Sequence, residues 1–194
     1  HNMKVHAKLC IIKKKVGATI IEYGFISTGN LNERTAQLYG DHCLLTANTN
    51  IMADVNRIFH YLEVPKMRPH FLRACKTIIV SPAGMRSQLI HLIQKEINTA
   101  KSKKPAAITL KLNSLSDEIL IEKLYDAARA GVVINMVVRG IFCMLTQNTK
   151  FKDVYAISIV DEYLEHARVM IFHNSGKEKV FISSADWMVR NIDH

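Results

Sequence analysis

The chain has 194 residues and a formal net charge of +9, a length suited to one large domain or two small ones with a real apolar core. No apolar run approaches the roughly 18 residues of a membrane span, and four scattered cysteines (Cys10, Cys43, Cys75, Cys143) without C-x-x-C spacing read as buried thiols in a reducing compartment, neither disulfides nor zinc ligands. The basic excess points to a polyanionic partner, whereas sparse aromatics and one tryptophan argue against a base-stacking nucleic-acid platform; the bland alternative is a solvated basic face. The start, "HNMKVHAK", has no secretory pattern and no initiator methionine, as expected of a piece of a longer protein.

Residues 5–14 and 18–27 alternate and are rich in β-branched side chains, so they read as a hairpin turning at Lys15-Val16-Gly17. Asn32 is placed to cap a short helix reaching about Leu38, and Cys43-Leu44-Leu45 reads as extended. From Asn50 onward, Ile51, Val55, Ile58, Phe59 and Leu62 fall at helical spacing. "EVPKMRPHF" is then the best linker, dividing the chain into units 1–66 and 67–194. In the second unit "KTIIV" reads as a buried strand, with Ser81-Pro82 opening a helix that carries Met85, Leu89, Leu92, Ile93 and Ile97 on one face. "ITLKL" is the next strand, Ser116 the next cap and Gly131 the helix stop. "VVINMVV" reads as a strand buried on both faces, with Arg139 at its carboxyl end, where open α/β sheets hold ligands. "VYAISIV" and a second hairpin follow. The expected architecture is α/β: two units with mixed sheets.

That second hairpin repeats the first. "VHAKLCII" (5–12) is echoed by "EHARVMIF" (165–172); "GFIS" is followed by Thr28-Gly29-Asn30, and "VFIS" by Ser184-Ala185-Asp186. The stretch from His6 to Asn30 is four residues longer than that from His166 to Asp186, which a longer hairpin loop in the first copy would explain. Side chains two apart on a strand share a face, so His6 projects with Lys8 and His166 with Arg168. A fixed cation neutralises a phosphate oxyanion, while the imidazole attacks phosphorus or moves a proton. One such histidine is more often structural; two in matching repeats argue for chemistry. The small-residue triplets sit where backbone N–H groups near a helix start can approach an anion.

The paired H-x-cation motifs resemble the phospholipase D superfamily, whose two related halves face each other across one active-site cleft. Its hydrolases carry an aspartate seven residues after the histidine, where this chain has Lys13 and His173. "VHAKL", "STGNLNERTAQLYGD", "LLTA", "ITLKLNSL", "VVRG", "AISIVDEYLEHARV" and "SSADWMVRNID" more closely resemble the histidine-dependent polyphosphate kinase family, whose C-terminal half is phospholipase D-like.

The resemblance implies reversible transfer of the terminal phosphate of ATP to inorganic polyphosphate through a phosphohistidine, with Mg²⁺. It places the nucleophile at His6 and the ATP contacts at Tyr39, Arg139 and His166, with His166 also a candidate for catalysis. Lys8 and Arg168 are added on physical grounds as phosphate clamps. No metal ligand is assigned, since the family's arginines near the metal lie upstream, and the chain alone is therefore expected to be inactive. Phe25 stands where many members have histidine. The resemblance also implies a cytoplasmic homo-oligomer, compatible with peripheral attachment to the inner face of the cell membrane. The rival readings are a phospholipase D-like phosphodiesterase and a non-catalytic polyanion-binding module.

Overall fold

The computed structural model describes residues 5–64, 67–146 and 152–193. Strands β1 (Leu9–Val16) and β2 (Thr19–Ser27) form an antiparallel hairpin with Leu9 opposite Ile26 and Val16 opposite Thr19. Gly17, at φ +61°, supplies the left-handed residue of the two-residue turn. After a one-turn helix α1 (Glu33–Ala36) and the short β3 (Tyr39–Gly40), β4 (Cys43–Thr46) pairs with β2. Asn32 caps α1 as the sequence suggests, its side chain accepting from the N–H groups of Arg34 and Thr35. Asn48 does the same for α2 (Thr49–Glu63), which buries Met52, Val55, Ile58 and Tyr61 and packs on β1 and β2.

The second unit holds a five-stranded sheet in the order β10-β9-β5-β6-β7. Here β5 (Ala107–Leu112), β6 (Val133–Val138) and β7 (Val154–Ile157) are parallel, β9 (Arg168–Phe172) pairs antiparallel with β5, and β10 (Lys179–Ser183) pairs antiparallel with β9. This sheet is mixed; the three-stranded sheet of the first unit is antiparallel throughout its described strands. Helices α3 (Met85–Lys101) and α4 (Glu118–Arg129) pack together, and their buried faces share one core with the sheet, including Leu89, Ile93, Leu120, Leu124, Ile108, Leu110 and Ile134. Each such side chain contributes about 1.5–3 kcal/mol by leaving water. No helix among the described residues is long and apolar enough to cross a membrane. The units are stitched by β8 (Leu164–Glu165), which pairs in parallel with β3.

Several local expectations give way. "KTIIV" is not a strand: the carboxylate of Asp54 accepts from the N–H groups of Lys76, Thr77 and Ile78 and from Thr77 Oγ1 at 2.6–3.2 Å, so a side chain replaces the ladder. Burial acts to raise the Asp54 pKa, yet these hydrogen bonds outweigh it and hold it below its usual 3.8. Ser81 does not cap α3, which begins at Met85; its hydroxyl donates to the Ile192 carbonyl. Asp117, not Ser116, caps α4, accepting from Leu120 N–H while its carboxylate takes a two-pronged bond from Arg86 at 2.6 and 2.7 Å. β6 is buried on one face only, with exposed Val133 and Asn135 alternating with buried Ile134, Met136 and Val138, because α3 and α4 both contribute to the core on that side. The extra length of the first repeat lies in its strands, not its loop: its turn is two residues, while the second hairpin joins shorter strands across residues 173–178. Of the expected linker, Pro65 and Lys66 lie outside the described residues, and Pro69–Ala74 forms a 3-10 turn whose Leu72 packs with Ile58 and Tyr61.

Candidate phosphate-handling site

Both repeat histidines lie just ahead of their strands, and in each the cation two residues later folds back in the same way. Lys8 Nζ donates to the His6 carbonyl at 2.8 Å and lies 3.0 and 3.1 Å from the two nitrogens of the His6 ring. Arg168 Nη1 donates to the His166 carbonyl at 3.1 Å and meets His166 Nε2 at 3.1 Å. Lys8 and Arg168 are both buried. Each cation bears directly on the imidazole of its own repeat. His6 is exposed and opens, with Lys8, Asn30 and Leu31, onto a pocket of about 260 Å³.

His166 is held from both sides. Asp41 Oδ1 lies 2.9 Å from Nδ1. A guanidinium only donates, so Nε2 receives from Arg168 and the Nδ1 proton goes to Asp41. Asp41 itself accepts from Thr28 Oγ1 at 2.6 Å. Gly29 permits that approach, since a Cβ there would stand 2.2 Å from Asp41 Oδ2. Tyr39 packs its ring against His166, with centroids 5.0 Å apart. The parallel bridge explains the encounter: Gly40 O accepts from the N–H groups of His166 and Ala167 at 3.1 and 2.9 Å.

A second layer ties Arg139 into the same cluster. Arg168 Nη2 donates to Asp186 Oδ2 at 3.0 Å, while Asp186 Oδ1 accepts from the N–H groups of Asn113 and Ser114. The Asn113 side chain accepts from Arg139 Nε at 2.5 Å and donates to His166 O at 3.3 Å. The structure thus brings Tyr39, His166 and Arg168 into contact and Arg139 one residue away. Lys8 approaches the cluster through its backbone, its carbonyl accepting from Ser27 N–H next to Thr28. Sequence reasoning missed Asp41 as a partner of His166 and missed Asn113 altogether. Both lie inside motif strings, "LYGD" and "KLNSL". The N–H groups of the small-residue turns are not all open to an anion: Gly29 N–H donates to Ser27 Oγ and Ala185 N–H to Ser183 Oγ.

These residues do not fit a magnesium ion held by the chain itself. The carboxylates of Asp41 and Asp186 are committed to His166, Thr28, Arg168 and backbone N–H groups. No group of three or more potential metal ligands from His, Cys, Asp and Glu occurs among the described residues.

The family profile described as polyphosphate kinase C-terminal domain 1 matches residues 1–68, and that described as polyphosphate kinase C-terminal domain 2 matches residues 78–194. The chain belongs to the polyphosphate kinase family. It is 48% identical to the polyphosphate kinase of Vibrio cholerae over 99% of its own length and 27% of that protein. Against the polyphosphate kinase of Escherichia coli K12 it is 45% identical, with 99% and 28% covered. The crystal structure of polyphosphate kinase from Porphyromonas gingivalis superposes with a TM-score of 0.88 at 40% identity, over 98% of this chain and 29% of that one. The chain therefore spans little more than a quarter of these polyphosphate kinases, and it corresponds to their C-terminal domains 1 and 2.

Proposed function

We infer that the full-length protein is a polyphosphate kinase, moving the terminal phosphate of ATP reversibly to a polyphosphate chain through phosphorylated His6. The observation that carries this reading is the pair of histidines, each backed by a buried cation, in a chain of this family. A ring nitrogen of His6 attacks the γ-phosphorus, forming a P–N bond as the bond to the ADP oxygen breaks. A terminal polyphosphate oxygen then attacks the same phosphorus, and the P–N bond breaks. The phosphoramidate keeps a high transfer potential, so the sequence runs both ways.

Positioning and charge neutralisation supply most of the catalysis in phosphoryl transfer. Lys8 lies beside the His6 ring and Arg139 grips the nucleotide phosphates. Tyr39 supports the nucleotide next to His166. With Nδ1–H held by Asp41, His166 presents an Nε2 lone pair to take the proton of the incoming terminal phosphate, once Arg168 Nη1 turns from Nε2 to a phosphate oxygen. Magnesium brought in with the nucleotide would supply charge neutralisation on its phosphates. A cytoplasmic homo-oligomer, compatible with peripheral contact at the inner membrane face, belongs to the same reading.

The test is to incubate the purified full-length protein with ATP, magnesium and a polyphosphate primer. ATP-dependent chain growth with release of ADP is expected. Hydrolysis of a generic phosphodiester without chain growth would favour a phospholipase D-like hydrolase instead.

A further inference from the structure

Arg139 stands at the end of β6, and a neutral amide, not a carboxylate, orients it. Asn113, buried at the end of β5, spends all four of its polar groups on the site: Oδ1 on Arg139 Nε at 2.5 Å, Nδ2 on His166 O at 3.3 Å, N–H on Asp186 Oδ1 at 2.8 Å, and its carbonyl on Gly140 N–H at 2.8 Å. The residue after Arg139 is shaped for this contact, since a Cβ on Gly140 would lie 2.7 Å from Asn113 O. A guanidinium is a rigid planar fork, so anchoring Nε sets the direction of Nη1 and Nη2. Among the described residues Nη1 and Nη2 of Arg139 make no hydrogen bond or ion pair, while the anchor uses Nε alone.

We propose that Asn113 is a positioning residue that aims the Arg139 fork at the nucleotide phosphates and holds it in register with His166. The proposal rests on the kinase reading above. An amide suits the task because it fixes the guanidinium without cancelling the charge that must meet phosphate; an aspartate would pair with Arg139 and repel the substrate. Its bond to the His166 carbonyl ties the phosphate-gripping end of β6 to the histidine ahead of β9. A shift of either strand end is therefore felt at both groups, and small misplacements of such groups are costly in rate.

The experiment is a double-mutant cycle in the full-length protein: wild type, Asn113→Ala, Arg139→Lys and the double variant. ATP-dependent polyphosphate synthesis is measured as kcat/KM for ATP, and ATP binding by calorimetry. Lysine has no Nε to anchor and no fork to aim. Asn113→Ala should thus lower kcat/KM about tenfold alone and by less than about threefold in the Arg139→Lys background, because residues that act through one another are non-additive. Equal losses in both backgrounds, or unchanged kinetics in Asn113→Ala, would overturn the proposal. If Asn113→Ala fails to fold, Asn113→Ser takes its place in the same cycle with the same two outcomes. The calorimetric cycle separates the proposal from the reading it rests on. Coupling in ATP binding by a wild-type protein that makes no polyphosphate would sink the kinase reading and leave Asn113 in its role; absence of ATP binding by the wild type would sink both.

Discussion

Asp41 Oδ1 lies 2.9 Å from Nδ1 of His166, joining the β3–β4 loop of the first unit to the histidine of the second repeat. Arg168 meets the other ring nitrogen at 3.1 Å, so the imidazole sits between a carboxylate and a guanidinium in one tautomer. That placement sets what His166 can do: it accepts at Nε2, and Asp41 keeps that nitrogen pointing toward Arg168.

Asp41→Asn should therefore damage turnover more than binding. The amide can present its NH₂ to Nδ1 and favour the wrong tautomer, an exchange that in a comparable carboxylate–histidine pair costs about 10⁴ in kcat. We expect a loss of at least about a hundredfold in kcat, with KM for ATP changed far less. Equal effects on both would show that Asp41 only holds the fold.

Asp186→Ala should destabilise the second unit. It strips Arg168 of a buried partner at 3.0 Å and leaves the N–H groups of Asn113 and Ser114 without their acceptor. Breaking a buried ion pair on one side typically costs about 3–5 kcal/mol. A denaturant midpoint within error of wild type would contradict the buried contact.

Asp54 gives a pH signature. Its folded pKa is lowered, so its contribution to stability is fully present above the ordinary value of 3.8 and is lost as pH falls through the lower folded value. The stability difference between wild type and Asp54→Asn should be constant at neutral pH and shrink as pH drops below 3.8. A difference independent of pH would mean the carboxylate charge is not what holds residues 76–78.

Cysteine reactivity should divide by burial. Burial, with the nearby charge of Asp54 acting in the same direction, pushes the Cys75 thiol up to about 11, while Cys143 is exposed. A thiolate is the reactive form. In the folded 194-residue chain an alkylating reagent should modify Cys143 quickly and Cys75 only on unfolding; early loss of the Cys75 thiol would contradict the packing around α2.

The repeats, the helical faces and the site histidines were legible because each carries a periodic or chemical signature in adjacent residues. The spacing of Met85, Leu89, Leu92, Ile93 and Ile97 places one buried face, and the cation two residues after each histidine reaches back to it as a local rule would have it. What was not legible depends on distant partners. "KTIIV" has a strand's composition, yet Asp54, more than twenty residues upstream, takes its N–H groups. "VVINMVV" looks buried on both faces because hydrophobicity alone cannot report that the helices cover one side. Asp41 and Asn113 carry no local signal for their roles, which arise only when β3 meets β8 and β5 lies beside β6 and β9.

The central claim, that His6 carries the phosphoryl group, is tested most directly by labelling the full-length protein with γ-phosphate-labelled ATP. We expect an acid-labile, base-stable protein adduct, abolished in His6→Ala because no other residue replaces a lost covalent nucleophile. Undiminished labelling of His6→Ala would contradict the claim.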